Sequence, residues 1–214
     1  PRAEDQARRR MSVNLVSDTA APAHPALLAA LAEANRDAAP SYGADRWTAL
    51  AHQMLNEVFE AEVDMLLVGS GTAANALALA LLCRPTGAVL CHEEAHIERD
   101  ERGAPEFFTG GGKLQLLPGA HGRIDPQALA DRLARRQPGF VHETPADALS
   151  LSNLTETGAA YGARDLSALA EPARRLGLRV HLDGARFANA LVSTGATPAE
   201  LSWKAGVDVL SFGA

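Results

Sequence analysis

The sequence predicts an α/β protein, with a mainly parallel sheet covered by helices. Short apolar runs alternate with helix-patterned segments along most of the chain. A hydrophobic content of 47% over 214 residues is ample for a sizeable core. The third observation is the stretch 178–186, LRVHLDGAR, in which a short apolar strand ends on Asp183, Gly184 and Arg186. Open α/β sheets place their chemistry at the carboxyl ends of strands. Asp183 and Arg186 stand three apart across a glycine turn, so both can face one ligand. The competing reading is a strand-end Asp that pairs with its neighbour.

Composition narrows the function classes. A net charge of −6 disfavours a phosphate-backbone partner. No apolar run is long and charge-free enough to span a bilayer, and the start lacks an apolar signal region. Cys83 and Cys91 form no Cys-x-x-Cys pair, which points to a reducing cytoplasm.

Residues 1–10 are polar, hold four arginines and read as a mobile tail. Residues 14–19 are extended and end in hydroxyls and an acid. A helix follows over 25–35, with Pro at its start. Residues 41–45 form a loop carrying Tyr42, and Asp45 caps a helix reaching Glu60. Residues 65–68 read as a buried strand. The turn Gly69-Ser70-Gly71-Thr72 then opens an Ala/Leu helix to Leu82. Such a turn exposes backbone N–H groups at the positive end of the helix dipole, which suits a phosphate. The same letters satisfy G-x-G-x-x-A, and Glu93 falls about twenty residues later, so a nicotinamide enzyme is a rival reading.

Residues 88–91 are the next strand, running into His92-Glu93-Glu94-Ala95-His96, which spells H-E-x-x-H. On a helix this spacing binds zinc. Here it follows a strand directly, and Arg99 and Arg102 stand where a third ligand would come; Glu106 is an alternative acid. The loop otherwise offers His96, Asp100 and Glu101 at the carboxyl edge of the sheet. Residues 107–113 make a glycine turn without the Ser or Thr of a P-loop, leading into a strand over 114–117. Residues 122–126 start a helix to Arg136. Residues 140–142 and 148–153 return to the sheet, and 154–158 leave it with polar groups. A helix over 165–176 feeds the strand before Asp183; a short helix over 198–205 and a strand over 207–212 follow. Stopping on a buried strand suggests a piece of a longer protein.

Several of these stretches, in order, resemble the pyridoxal-phosphate-dependent threonine aldolases of the low-specificity L-type. They are Val16-Ser17-Asp18-Thr19, Tyr42-Gly43-Ala44-Asp45, Ser70-Gly71-Thr72-Ala73-Ala74-Asn75, Ala95-His96-Ile97, His181-Leu182-Asp183-Gly184-Ala185-Arg186 and Asp208-Val209-Leu210-Ser211-Phe212-Gly213-Ala214. The resemblance implies a fold-type I, aminotransferase-like large domain over 45–214, incomplete before a C-terminal small domain. Residues 12–44 become an N-terminal arm and 1–11 the tail. It also implies cleavage of a β-hydroxy-α-amino acid (threonine, allo-threonine or phenylserine) to glycine and an aldehyde, by a homo-oligomer, dimer or tetramer, with shared sites. No metal is implied.

By the same resemblance, Asp183 pairs with the pyridine nitrogen, and Arg186 holds the cofactor oxygen or the substrate carboxylate. Ser70, Gly71 and Thr72 bind the phosphate, and His96 stacks on the ring. Ser17 lies near the substrate carboxylate, and Tyr42 reaches a neighbouring subunit's site. Some family members carry a His where Thr155 stands, so His142 becomes the alternative base on the substrate hydroxyl, and Asp100 joins the catalytic loop. The Schiff-base lysine matches neither Lys113 nor Lys204 and is expected just past Ala214. The nicotinamide oxidoreductase, the zinc hydrolase and a catalytically silent binding domain remain as alternatives.

Overall fold

The computed structural model describes residue 20 and residues 22–213. Ser17 and residues 1–11 lie outside the described residues. The chain divides into two compact units, residues 1–51 and 52–214. In the first, α1 (Pro25–Ala34) starts after His24, whose side chain accepts from the Ala26 N–H, and has Pro25 at its first position. Asp45 caps α2 (Arg46–Phe59), as the sequence predicts. Its Oδ1 accepts from the Trp47 and Thr48 N–H groups at 2.9 Å each.

The second unit is built on one sheet of five strands: β1 (Ala88–His92), β2 (Lys113–Leu117), β3 (Ala146–Ser152), β4 (Arg179–Gly184) and β5 (Val209–Phe212). Their order is β2-β1-β3-β4-β5, and every pair is parallel. All five carboxyl ends therefore lie along one edge. Helices α3 (Gly71–Leu82), α4 (His96–Arg99), α5 (Ala104–Phe108), α6 (Pro126–Ala134), α7 (Ala163–Arg175) and α8 (Phe187–Thr194) connect and cover the strands.

The period-2 pattern of the strands sorts side chains to two faces. On β1, Val89 and Cys91 pack into a cluster with Leu79 of α3, while Leu90 joins the opposite cluster with Leu149, Leu151, Leu182 and Leu166 of α7. Both faces are dry, which is why β1 is buried throughout and reads as a continuous apolar run. Phe59 and Phe187 belong to the larger cluster, and the partly exposed Phe212 sets its ring against both, with centroids 5.9–6.1 Å apart. Cys83 and Cys91 are both buried thiols. Burial pushes them up to about 11 and about 12, so neither is a nucleophile at neutral pH.

One expected strand is absent. Residues 65–68 pair with no strand among the described residues, and Leu66 and Leu67 are 84% and 78% exposed. An apolar run says that a segment suits a sheet, not that a neighbour is available to it. The expected helix over 198–205 is instead a set of turns ending in a 3₁₀ turn, Trp203–Ala205. Lys204 there pairs with Glu60, and the Trp203 indole donates to the Phe59 carbonyl at 2.7 Å.

A polar row crosses the sheet interior next to the site. The His181 ring, fully buried on β4, lies 2.9 Å from Ser150 Oγ of β3 through Nδ1 and 2.9 Å from Ser211 Oγ of β5 through Nε2. One ring nitrogen donates and the other accepts, so the neutral imidazole is satisfied. Burial holds it neutral, pulling it down to about 4 against the opposing charge of Asp183. Three residues on, Gly184 packs β4 against β5. A Cβ there would come within 2.6 Å of Leu210 and 2.9 Å of the Ser211 carbonyl.

Candidate active site

Asp183 stands near the carboxyl end of β4, 6% exposed, where the sequence places it. Its two oxygens have different partners. Oδ1 accepts from the Ala185 N–H at 3.1 Å, and Oδ2 accepts from Asn75 Nδ2 at 3.0 Å. Asn75, on α3, is 2% exposed, and the same nitrogen donates to Glu101 Oε1 at 2.7 Å. Glu101 Oε1 also lies 2.8 Å from His96 Nδ1. Four side chains from three separate stretches of chain thus form one network, with Asn75, Glu101 and Asp183 buried and His96 half-buried.

The electrostatics follow from burial and pairing. Burial pushes the Glu101 carboxyl above its ordinary range, and the charge of Asp183 adds to this; Asn75 and His96 pull it back. For His96, burial works downward, but the hydrogen bond and charge of Glu101, helped by Glu156 and Asp183, hold it above the ordinary imidazole value. Ligand atoms of His96, Glu101 and Asp183 lie within 4.8 Å of one another, a spacing that would also admit a cation.

Asn75 fixes the place of another predicted group. It lies four residues after Gly71, one helical turn along α3. The Ser70 Oγ caps that helix, accepting from the Ala73 N–H at 3.2 Å. The Gly71 and Thr72 N–H groups stand in the first turn, where no intrahelical acceptor exists. Ser70 and Gly71 are exposed, and nothing lies within 4 Å of where a Gly71 Cβ would be. Ser70, Gly71, Thr72 and Asp183 are thereby brought to one end of the sheet. Arg186 joins them at the start of α8, half-buried and 3.3 Å from Glu156.

His142 is not brought there. It lines a cleft of about 440 Å³ with Pro85, Gly87, Lys113 and Pro145, beside the amino ends of the strands. A strand of five to seven residues separates the two edges by about 20 Å. Asp100 is exposed at the end of α4, and its neighbour Glu101 is the acid that turns inward. Tyr42 lies in the 1–51 unit, exposed, with φ of 62°. Asn75 and Glu101 were legible as polar letters in their motifs but carried no signal of burial.

The rival motifs lose their context. His92 ends β1, the next residues turn, and α4 begins only at His96, so H-E-x-x-H does not share a helix face. Both His92 ring nitrogens serve the backbone: Nδ1 accepts from the Glu94 N–H, so Nε2 carries the proton and donates to the Gly119 carbonyl at 3.0 Å. The dinucleotide fingerprint needs a sheet strand before its glycines, and residues 65–68 are not one.

Comparison with known proteins agrees with the architecture. The chain is 46% identical over 189 residues to the low specificity L-threonine aldolase of Pseudomonas aeruginosa, covering 88% of this chain and 54% of that protein. It is 40% identical over 202 residues to the low specificity L-threonine aldolase of a Pseudomonas species, covering 94% and 58%. The chain spans about half the length of the curated relatives it matches. The solved threonine aldolase of Leishmania major superposes with a TM-score of 0.80 at 29% identity, over 87% of this chain and 54% of that one. A serine palmitoyltransferase from S. paucimobilis, at 17% identity and a TM-score of 0.56, shares the fold alone. The family of beta-eliminating lyases matches residues 14–214, and the chain belongs to it.

Proposed function

We propose that the whole protein cleaves β-hydroxy-α-amino acids of the threonine type to glycine and an aldehyde, using pyridoxal phosphate. The observation that carries this reading is the buried Asp183 carboxylate, tied through Asn75 to the helix whose first turn presents the Ser70, Gly71 and Thr72 donors. The residues fit the group. An anionic phosphate suits a helix start, and a ring nitrogen that must keep its proton suits a buried carboxylate whose two oxygens are fixed by the Ala185 N–H and Asn75 Nδ2. The similarity to threonine aldolases supports the substrate class.

When bound, pyridoxal phosphate supplies the electron sink for the pair released as the Cα–Cβ bond breaks. Asp183 holds the proton at the ring nitrogen. Ser70, Gly71 and Thr72 hold the phosphate, and Arg186 orients the substrate carboxylate. His96, placed against the ring by the resemblance, would have Nε2 left to move a proton, since its Nδ1 is engaged by Glu101. Ser17 and Tyr42 belong to the proposal through the resemblance only, as does a Schiff-base lysine beyond Ala214. The domain reading, an arm over 12–44 and a large domain from 45, is likewise proposed. A homo-oligomer of dimer or tetramer size is part of the proposal, supported by exposed Leu77 and Leu81 on α3 and Phe107 on α5. No helix among the described residues is long and apolar enough to cross a membrane. A cytoplasmic setting belongs to the same proposal.

The test is an assay of the whole protein with L-threonine, allo-threonine and phenylserine. Glycine and the matching aldehyde should appear in equal amounts, dependent on pyridoxal phosphate and insensitive to chelators. Chelator-sensitive hydrolysis, or nicotinamide-dependent oxidation of the hydroxyl, would reverse the reading.

A further inference from the structure

Glu101 touches neither substrate nor cofactor in the chemistry proposed above, yet it is the most buried carboxyl of the cluster, 4% exposed. It caps no helix in the site and ends no strand. Its Oε1 accepts two hydrogen bonds at once, from His96 Nδ1 at 2.8 Å and from Asn75 Nδ2 at 2.7 Å. An oxygen already accepting from an amide takes a donor from the ring, so Nδ1 of His96 carries hydrogen. The Asn75 amide sits between Glu101 and Asp183, and only its nitrogen can face two carboxylate oxygens.

The far sides of this network are incomplete. Among the described residues, Glu101 Oε2 and Asn75 Oδ1 are buried without a hydrogen-bond partner. Each such atom carries an uncompensated desolvation penalty. A purely structural residue would be better served by an apolar side chain of the same volume. Strained polar clusters of this kind collect where a site needs a particular protonation state.

We propose that Glu101 is a positioning residue: it fixes the ring and the Nδ1 proton of His96, and through Asn75 it ties that ring to Asp183. The inference rests on reading His96 and Asp183 as parts of the cofactor site. Its consequence is that Nε2 becomes the working nitrogen of His96, and the imidazole and carboxylate are held in fixed relation. The charged groups facing His96 are Glu101, Glu156 and Asp183. Of these, Glu101 alone is bonded to the ring, so its charge should dominate.

The experiment follows histidine ring nitrogens by NMR in the cofactor-free whole protein, comparing wild type with Glu101→Gln and Glu101→Asp. In wild type, neutral His96 should be the Nδ1–H tautomer and titrate above the ordinary imidazole value. Glu101→Gln keeps the volume and removes the charge, and should lower that titration by about one pH unit or more. Glu101→Asp keeps the charge and should recover most of the shift, so it also answers the question if the Gln variant folds poorly. The basic limb of the kcat profile should move with the titration. An unchanged His96 titration in folded Glu101→Gln, or an Nε2–H tautomer in wild type, would overturn the proposal. Because the NMR readout needs neither cofactor nor turnover, an inactive protein with a Glu101-dependent His96 would instead count against the threonine-cleavage reading.

Discussion

Asp183→Asn in the whole protein is expected to lower threonine cleavage by about a hundred- to a thousand-fold, the usual cost of removing one preorganised electrostatic group. Asp183 accepts at both oxygens, from the Ala185 N–H and from Asn75 Nδ2. An asparagine can accept at only one of them and sets its own amide hydrogens against the other donor. The substitution removes the charge that would keep a ring nitrogen protonated, and it creates a donor–donor conflict worth about 1–3 kcal/mol. Reduced thermal stability with an intact fold should accompany the lost activity. Steady-state assays of the variant at saturating cofactor check this: near-normal turnover would remove Asp183 from the assigned role.

His181 should make the fold sensitive to mild acid. Its ring is held at about 4 by burial, against an ordinary value of 6.5. Above pH 6.5 the ring is neutral in both the folded and the unfolded chain, and its contribution is whole. Between 6.5 and about 4 the unfolded chain binds a proton that the folded protein refuses, so stability falls as the pH drops. Below about 4 both forms are protonated and the loss levels off. The linkage amounts to about 3 kcal/mol over that window. His181→Gln retains a polar side chain between Ser150 and Ser211 but cannot titrate. Its unfolding free energy, measured by urea from pH 7 to 4, should fall by about 3 kcal/mol less than that of wild type. Parallel curves would show that protonation of His181 is not what the acid acts on.

Much of the fold was legible in the sequence because the strands of a covered parallel sheet are apolar on both faces. Residues 88–91 and 178–182 could hardly be anything else, and β1 and β4 are where the pattern put them. Residues 65–68 had the same pattern but pair with no strand among the described residues, because pairing depends on a second segment that an apolar run does not specify. The site was legible where chemistry coincides with a strand end or a helix start, as at Asp183 and Ser70-Gly71-Thr72. It was less so in loops. Asp100 and Glu101 differ by one position, and only the turn after α4 decides which is buried. His142 precedes β3 rather than following it, so the parallel topology places it at the opposite edge. H-E-x-x-H failed for a similar reason: its meaning depends on a helix that starts four residues too late.

The most direct test of the central claim is the colour of the whole protein with pyridoxal phosphate. A stoichiometric yellow complex that hydroxylamine bleaches is expected, with threonine shifting its spectrum and Asp183→Asn weakening it. A colourless protein at saturating cofactor, whose activity instead follows a bound metal, would contradict the account.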